Sequence, residues 1–277
     1  LASNQNLLTP GQSSFVKISL ENMGSSNSNS IIGTITCASP FIDIIDNVGT
    51  WTSINSGSSE LNGDDYFEIS ALDVTIPGTM AHLILNVESS TGYQSSSIIP
   101  IQIGEAGVND PLGPDSYGYY IYDNEDLNYI LSPTYNWVEI DAREGGPGSH
   151  LSSLSDTGNN QDDVETINLP FTFRFYGVEY DQISISSNGW IAMGETELES
   201  FRNYELPGVG GPSKMIAVFW DDLKTSNGGR VYTWYDQDQK KFYVEWSGVR
   251  TYQNNTVETF KAVLFDPDYY VTPTGDG

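Results

Sequence analysis

Two short loops of the chain combine acidic and amide side chains at a density that suits a metal ion. They span residues 123–128 and 156–163. Calcium takes roughly six to eight oxygen ligands from carboxylates, amides and backbone carbonyls. Neither loop has the spacing of an EF-hand, and an ordinary polar turn is the alternative interpretation. The sequence therefore predicts calcium as the candidate cofactor. Its candidate ligands are Asp123, Asp126, Asp156, Asp162 and Asp163.

A second pair of carboxylates offers an alternative metal site. Asp221 and Asp222 follow the apolar run 216–220. Neighbouring residues of a strand point to opposite faces, so both carboxylates reach one ion only if the chain turns there. Like charges at such a turn repel each other and favour a nearby cation. An ion pair with Arg230, or a solvated turn, is the competing interpretation.

Residues for nucleophilic or acid–base catalysis are scarce. The only cysteine is Cys37, expected as a small buried residue, and the two histidines are His82 and His150. The sequence contains neither a Gly-x-Ser-x-Gly elbow nor the ligand spacing of a zinc site. Glu139 and Asp141 could share one strand face, at a separation that glycosidases use, but a solvated strand face opposite Val138 and Ile140 is the preferred interpretation. We therefore predict no catalytic residues and no enzymatic activity for this chain.

Aromatic residues supply a second candidate site, for a carbohydrate. Tyr120 and Tyr122 share one face of a predicted strand, and Trp234 shares a face with Tyr232. Flat exposed rings of this kind can stack on sugars. The alternative is that these rings form the core of a β-sandwich, because the region has few leucines and isoleucines to fill one.

The charge of the chain excludes several kinds of partner. Its 277 residues include 37 Asp and Glu against 11 Lys and Arg, so the formal net charge is −26. Nucleic acid is excluded as a partner because phosphate binding needs a basic surface. Anionic membranes are disfavoured for the same reason. No apolar run approaches the ~18 residues of a transmembrane helix, so we expect no membrane insertion.

Period-two alternation of apolar and polar residues predicts an all-β fold class. A Gly/Pro/Asp-rich stretch near 104–115 divides the sequence, and most aromatic and acidic residues follow it. The short, regularly punctuated strands before it predict an immunoglobulin-like β-sandwich. The predicted organisation is an Ig-like module at 1–106, a linker at 107–114 and a larger β domain at 115–277.

Within the larger domain, three local predictions can be checked directly. Strands are expected at 116–122 and 135–141, and the stretch 195–200 is the one plausible helical turn. Asn188-Gly189 is the strongest hairpin-turn signal in the chain.

The order of motifs after residue 110 resembles a known family. A strand ending in Tyr176-Gly177 precedes the turn Ser187-Asn188-Gly189, and the strand ending in Phe219-Trp220-Asp221 follows before a closing hairpin. This order resembles the nidogen-like extracellular β domain. Residues 1–104 loosely resemble the Ig-like modules that accompany it in long secreted bacterial proteins. The resemblance implies a nidogen-like β-sandwich over 115–277 that carries no catalytic residues and whose last strand is truncated.

The resemblance also implies a function. In such proteins the two modules often follow a peptidase domain, for example a cysteine peptidase of the gingipain type. We therefore expect a non-catalytic structural, adhesion or spacer region of a larger secreted or cell-surface bacterial protein, accessory to a peptidase domain outside this chain. The expected partners are other domains of the same polypeptide, surface glycans or extracellular proteins. A carbohydrate-binding region that targets an attached hydrolase is the alternative function.

Overall fold

The computed structural model describes residues 8–115, 117–158 and 160–271. The chain divides into two compact units, a first unit at 1–134 and a second unit at 135–277. Among the described residues, no helix is long and apolar enough to cross a membrane. The fold is all-β, which confirms the predicted fold class.

The first unit consists of antiparallel strands joined by short turns. Its strands are β1 (Ser13–Val16), β2 (Ser19–Glu21), β3 (Ser28–Cys37), β4 (Ile42–Asp46), β5 (Val48–Ile54), β6 (Ser59–Leu61), β7 (Phe67–Ala71), β8 (Thr79–Ser89) and β9 (Gln94–Ile103). They pair in the orders β1-β7-β4, β2-β6 and β5-β3-β8-β9. The segment 104–134 follows without a strand of its own.

Alternation along the strands builds an apolar core in the first unit. In β8, Leu83 and Leu85 are buried while the residues beside them are exposed, as period-two geometry requires. Trp51 lies in the same core, and its indole N–H donates to the carbonyls of Ile18 and Glu60. Burying this N–H with two acceptors lets a large aromatic ring fill the core without an unpaired donor. Cys37 is half-buried against this core.

The second unit begins with an extended segment and a short turn of 3-10 helix. Its helical turn is η1 (Ala142–Glu144), and its strands are β10 (Ser149–His150), β11 (Val164–Phe175), β12 (Val178–Ser186), β13 (Trp190–Met193), β14 (Met215–Ala217), β15 (Leu223–Lys224), β16 (Arg230–Asp236), β17 (Lys241–Thr251) and β18 (Val257–Phe265). One sheet has the order β11-β12-β13-β14, and in the other β17 pairs with β15, β16 and β18.

Strand β17 lies at the centre of its sheet and is buried on both faces. Val244 and Trp246 occupy one face, whereas Tyr243 and Glu245 occupy the other. The Trp246 indole donates to the carbonyl of Ser186 at 2.8 Å, which ties β17 to the end of β12. A charged residue in the middle of a strand buried on both faces is unusual and must find compensation.

Two local predictions are wrong, for identifiable reasons. Residues 135–141 join no sheet, because side chains satisfy this backbone instead: Lys261 donates to the Val138 carbonyl, and Glu139 accepts from the Asp141 N–H. Residues 195–200 form no helical turn. The Thr196 N–H donates to the Ser184 hydroxyl, and the Ser200 carbonyl accepts from the indoles of Trp190 and Trp220, so contacts with other segments hold both ends of this stretch.

The strand predicted at 116–122 is reduced to one isolated bridge between Leu112 and Ile121, and residue 116 lies outside the described residues. The compact units divide at 134/135, after the predicted linker at 107–114. Residues 107–134 have contacts within the first unit. Tyr120 packs against its core, and the Tyr129 hydroxyl donates to Asp110 at 2.6 Å.

Candidate functional site

Three of the predicted metal ligands lie close enough in the second unit to interact electrostatically. They are Asp156, Asp162 and Asp222, which we call the Asp156 cluster. The Ser187 hydroxyl donates to Asp156 Oδ2 at 2.7 Å, and the Asn188 amide donates to Asp162 Oδ1 at 2.8 Å. Neighbouring residues of one turn therefore hold two of the three aspartates of the 156–163 loop, Asp156 and Asp162.

The Asn188-Gly189 turn positions this cluster. It connects β12 to β13 as predicted, with Gly189 at φ +77°. A Cβ atom at Gly189 would lie 2.0 Å from the Phe219 carbonyl oxygen, so only glycine fits. Asn188 Oδ1 also accepts the N–H of Leu223 at 2.9 Å. The turn is thereby fixed to the segment after β14, which brings Asp222 beside the loop.

Burial and mutual repulsion shape the charge of the Asp156 cluster. Asp156 is 1% exposed. Its burial is the main cause that raises its pKa to about 6. Asp162 and Asp222 add to this shift, while hydrogen bonds from Ser187 and Gly158 oppose it. Burial likewise raises the pKa of Asp222, with Asp162 and Asp221 adding to the effect. A bound cation would relieve this repulsion.

The hydrogen bonds of the cluster limit its capacity as a metal site. Both oxygens of Asp156 accept hydrogen bonds, and both oxygens of Asp163 accept backbone N–H groups, from Ser155 and Val164. Across residues 8–115, 117–158 and 160–271, no three His, Cys, Asp or Glu side chains are placed to hold one metal ion. The calcium assignment therefore stays a prediction, with Asp162 and Asp222 as its most available carboxylates.

The first acidic loop lies in the first unit and uses its carboxylates locally. Asp126 is 3% exposed, and its Oδ2 accepts the N–H of Asp123 at 2.7 Å. Asp123 Oδ1 accepts the N–H of Glu125 at 2.7 Å. Carboxylates that bond to the backbone two or three residues away are typical of aspartate turns. This loop therefore has a structural explanation that requires no ion.

The aromatic candidates are half-buried rather than laid out as a flat platform. Tyr120 and Tyr122 stack at 5.8 Å between ring centroids, and burial raises the pKa of Tyr120 to about 12. Trp234 stacks on Tyr243 at 5.4 Å and packs against Ile140 and its neighbours. These contacts favour the core interpretation, and the sugar-binding role stays a prediction.

The carboxylate pair weighed for catalysis lacks a proton donor. Burial raises the pKa of Asp141, but hydrogen bonds from Arg143 and Ser247 outweigh it and lower the pKa well below its ordinary value. Hydrogen bonds from the Asp141 N–H and from Trp137 also bring the pKa of Glu139 below its ordinary value, against the effect of burial. A general acid must keep its proton near neutral pH, and neither carboxyl group does.

Sequence reasoning missed a second group of charges, buried on the opposite face of β17 from Trp246. Glu245 is fully buried, and Lys261 Nζ lies 2.8 Å from its Oε2. The carboxyl group of Glu139 lies close enough to Glu245 to interact with it electrostatically. We call Glu139, Glu245 and Lys261 the Glu245 cluster. The Trp137 ring covers Lys261 Nζ, 3.6 Å from the ring centroid.

The comparison with protein families agrees with this architecture. The family model described as NIDO related matches residues 141–268, within the second unit. This match supports a nidogen-like domain in the second unit. A search of curated proteins found no match.

Proposed function

We propose that the chain is a non-catalytic structural, adhesion or spacer region of a larger secreted or cell-surface bacterial protein. The observation that carries this proposal is the nidogen-related match over residues 141–268. The first unit, an all-β sandwich with an apolar core, serves as an Ig-like spacer in this proposal. The parent protein contributes a peptidase domain, to which this region is accessory. Its partners are other domains of the same polypeptide, surface glycans or extracellular proteins.

The proposal predicts binding without turnover. The labelled chain should bind saturably to members of an array of extracellular proteins and surface glycans, while peptide and glycoside substrates stay intact in the same buffer. Turnover that disappears in Glu139→Ala or Cys37→Ala would contradict it. The open reading frame that encodes the chain is an independent check, because a secretion signal and a peptidase domain are expected there.

A carbohydrate-binding region that targets a hydrolase is the second candidate function. The stacked pair Tyr120 and Tyr122 favours it, because the part of these half-buried rings that stays exposed offers an apolar face to a sugar. Glycan binding should then weaken in Tyr122→Ala or Trp234→Ala. Tyr93→Ala is the matched control, since Tyr93 is 67% exposed. Equal glycan binding by all these variants would eliminate this candidate.

We also propose that the Asp156 cluster binds calcium. The supporting observation is the mutual repulsion of Asp156, Asp162 and Asp222, which a cation at the two more available carboxylates, Asp162 and Asp222, would relieve. Hard oxygen ligands of this kind suit calcium. The ion would stabilise the nidogen-like domain rather than take part in a reaction.

A further inference from the structure

Glu245 and Lys261 face each other directly across two neighbouring strands. They are register partners in the antiparallel pair β17–β18. The Glu245 side chain is 0% exposed and the Lys261 side chain 9% exposed, with Nζ 2.8 Å from Oε2. A carboxyl group and an amine are thus held together where water is excluded. This is the arrangement in which an intramolecular reaction benefits most from fixed orientation.

Apart from Lys261, little compensates the cost of burying the Glu245 carboxyl group. Neither of its oxygens accepts a hydrogen bond of regular geometry within the described residues. Burial is the main cause that raises the pKa of Glu245, the nearby Lys261 opposes this shift, and Glu139 adds to it. A charged pair in such surroundings is costly. A neutral covalent bond between the two groups would remove this cost.

Glu139 is the third member of the cluster, and its surroundings keep it ionised. Its Oε1 accepts the Asp141 N–H at 2.7 Å, and its Oε2 accepts the Trp137 indole N–H at 3.2 Å. Glu139 is therefore an ionised carboxylate beside the buried Glu245–Lys261 pair, where it can act as a base.

We propose that Glu245 and Lys261 join in an intramolecular amide bond, with Glu139 as the catalytic residue. The Lys261 nitrogen attacks Cδ of Glu245, and an N–C bond forms. Glu139 takes two protons from that nitrogen, one before the attack and one after it, and passes both to one oxygen on Cδ. The C–O bond breaks and one water molecule leaves. The reaction needs no oxidant, reductant or activated co-substrate, and the product replaces a buried ion pair with a neutral link between β17 and β18.

The mass of the whole chain tests this proposal directly. After folding and storage, the denatured full-length protein should be lighter than its sequence by one water molecule. Trypsin should cut after Lys241 and Arg250 but not after Lys261. The peptide 242–250 should then stay attached to the peptide 251–277, and fragmentation should place the link between Glu245 and Lys261.

Three variants identify the chemistry. Lys261→Arg keeps the positive charge but should have the full sequence mass, because the guanidinium group is a poor nucleophile. Glu139→Gln keeps the shape of the base and should leave most molecules unlinked. Lys241→Arg is the matched control and should keep the loss of water. Full sequence mass in the folded wild-type chain would overturn the proposal, and so would a water loss located at any other pair of residues.

Discussion

The two units bury their strands in different ways. The core of the first unit consists of apolar side chains such as Leu83 and Trp51. The second unit buries Asp141, Asp156 and Glu245, each of which depends on a partner from a distant part of the sequence. An apolar core is insensitive to pH, whereas a charged one responds to protons, ions and the loss of single partners. The chemistry of this chain is therefore concentrated in the second unit.

The largest expected effect comes from removing the cation of the Glu245 cluster. Compared with Lys261→Arg, which keeps the cation and stays unlinked, Lys261→Met leaves a fully buried carboxyl group without its partner, so the free energy of unfolding of the second unit should be lower by about 3–5 kcal/mol. The loss should grow as pH rises through the raised pKa of Glu245, because the unpaired carboxylate is then charged in the folded state. Urea denaturation between pH 4 and pH 8 measures it.

Two control variants test whether buried charge, which distinguishes the second unit from the first, causes this loss of stability. Lys261→Met combined with Glu245→Leu should recover the part of the loss that comes from the unpaired charge. Leu83→Ala in the first unit should cost about 2–5 kcal/mol, with no dependence on pH. A double variant no more stable than Lys261→Met alone would show that buried charge is not the source of the loss.

A smaller effect is expected at Asp156. Its pKa is about 6 in the folded chain, against an ordinary value of 3.8. The folded state therefore binds more protons than the unfolded state between these values. Its stability should decrease as pH rises through this window, by roughly 1–3 kcal/mol. Asp156→Asn should remove this slope, whereas Asp43→Asn on an exposed position of β4 should keep it. Identical slopes in both variants would contradict the burial argument.

Calcium should produce a shift that is smaller again. With a Kd of roughly 10⁻⁴ M, ~1 mM calcium stabilises the folded state by about 1.4 kcal/mol, which raises the Tm of the second unit by roughly 3–6 °C. Magnesium and NaCl at equal ionic strength should do less. The calcium effect should disappear in Asp162→Ala and Asp222→Ala and persist in Asp123→Ala. Equal shifts with all three salts would assign these loops to ordinary polar turns.

The sequence predicts the strands of the chain better than it predicts the Glu245 cluster. Alternation and the Asn188-Gly189 turn identify β12 and β13, because these signals are local. The pairing of Glu245 with Lys261 depends instead on the register of β17 and β18, which shifts at a bulge between Trp246 and Val249. Counting back from the turn with the register of the Val249–Glu258 pair would place Ala262 opposite Glu245. Gly248, at φ +61° within this bulge, marks it in the sequence, but a glycine in a strand does not by itself fix the register on either side.

The Asp156 cluster is predicted in part for the same reason. Asp156 and Asp162 belong to one loop and are visible as an acidic stretch. Asp222 joins them only because Asn188 holds the Leu223 backbone, a contact across 35 residues. The sequence pattern identifies the carboxylates of one loop, but the tertiary fold determines which carboxylates lie close together.

The smallest expected effect on stability concerns the position at which the first unit ends. Tyr120 packs against the core of the first unit, although it lies beyond the predicted linker at 107–114. A fragment of residues 1–106 lacks this ring and exposes the core that it covers. It should therefore be less stable than a fragment of residues 1–134 by about 1 kcal/mol, the value of a partly buried aromatic side chain. Chemical denaturation of both fragments measures the difference.

Two substitutions in the fragment 1–134 distinguish the stabilising contribution of the Tyr120 ring from that of the rest of residues 107–134. Tyr120→Ala should lower the stability of 1–134 to that of 1–106. Ile121→Ala is the matched control, because Ile121 is 66% exposed and its bridge to Leu112 uses backbone atoms; it should change little. If the two fragments are equally stable, the boundary lies at 107–114 and Tyr120 adds nothing to the core. If they differ and Tyr120→Ala removes the difference, the first unit extends past the predicted linker at 107–114, and the second unit begins near residue 135.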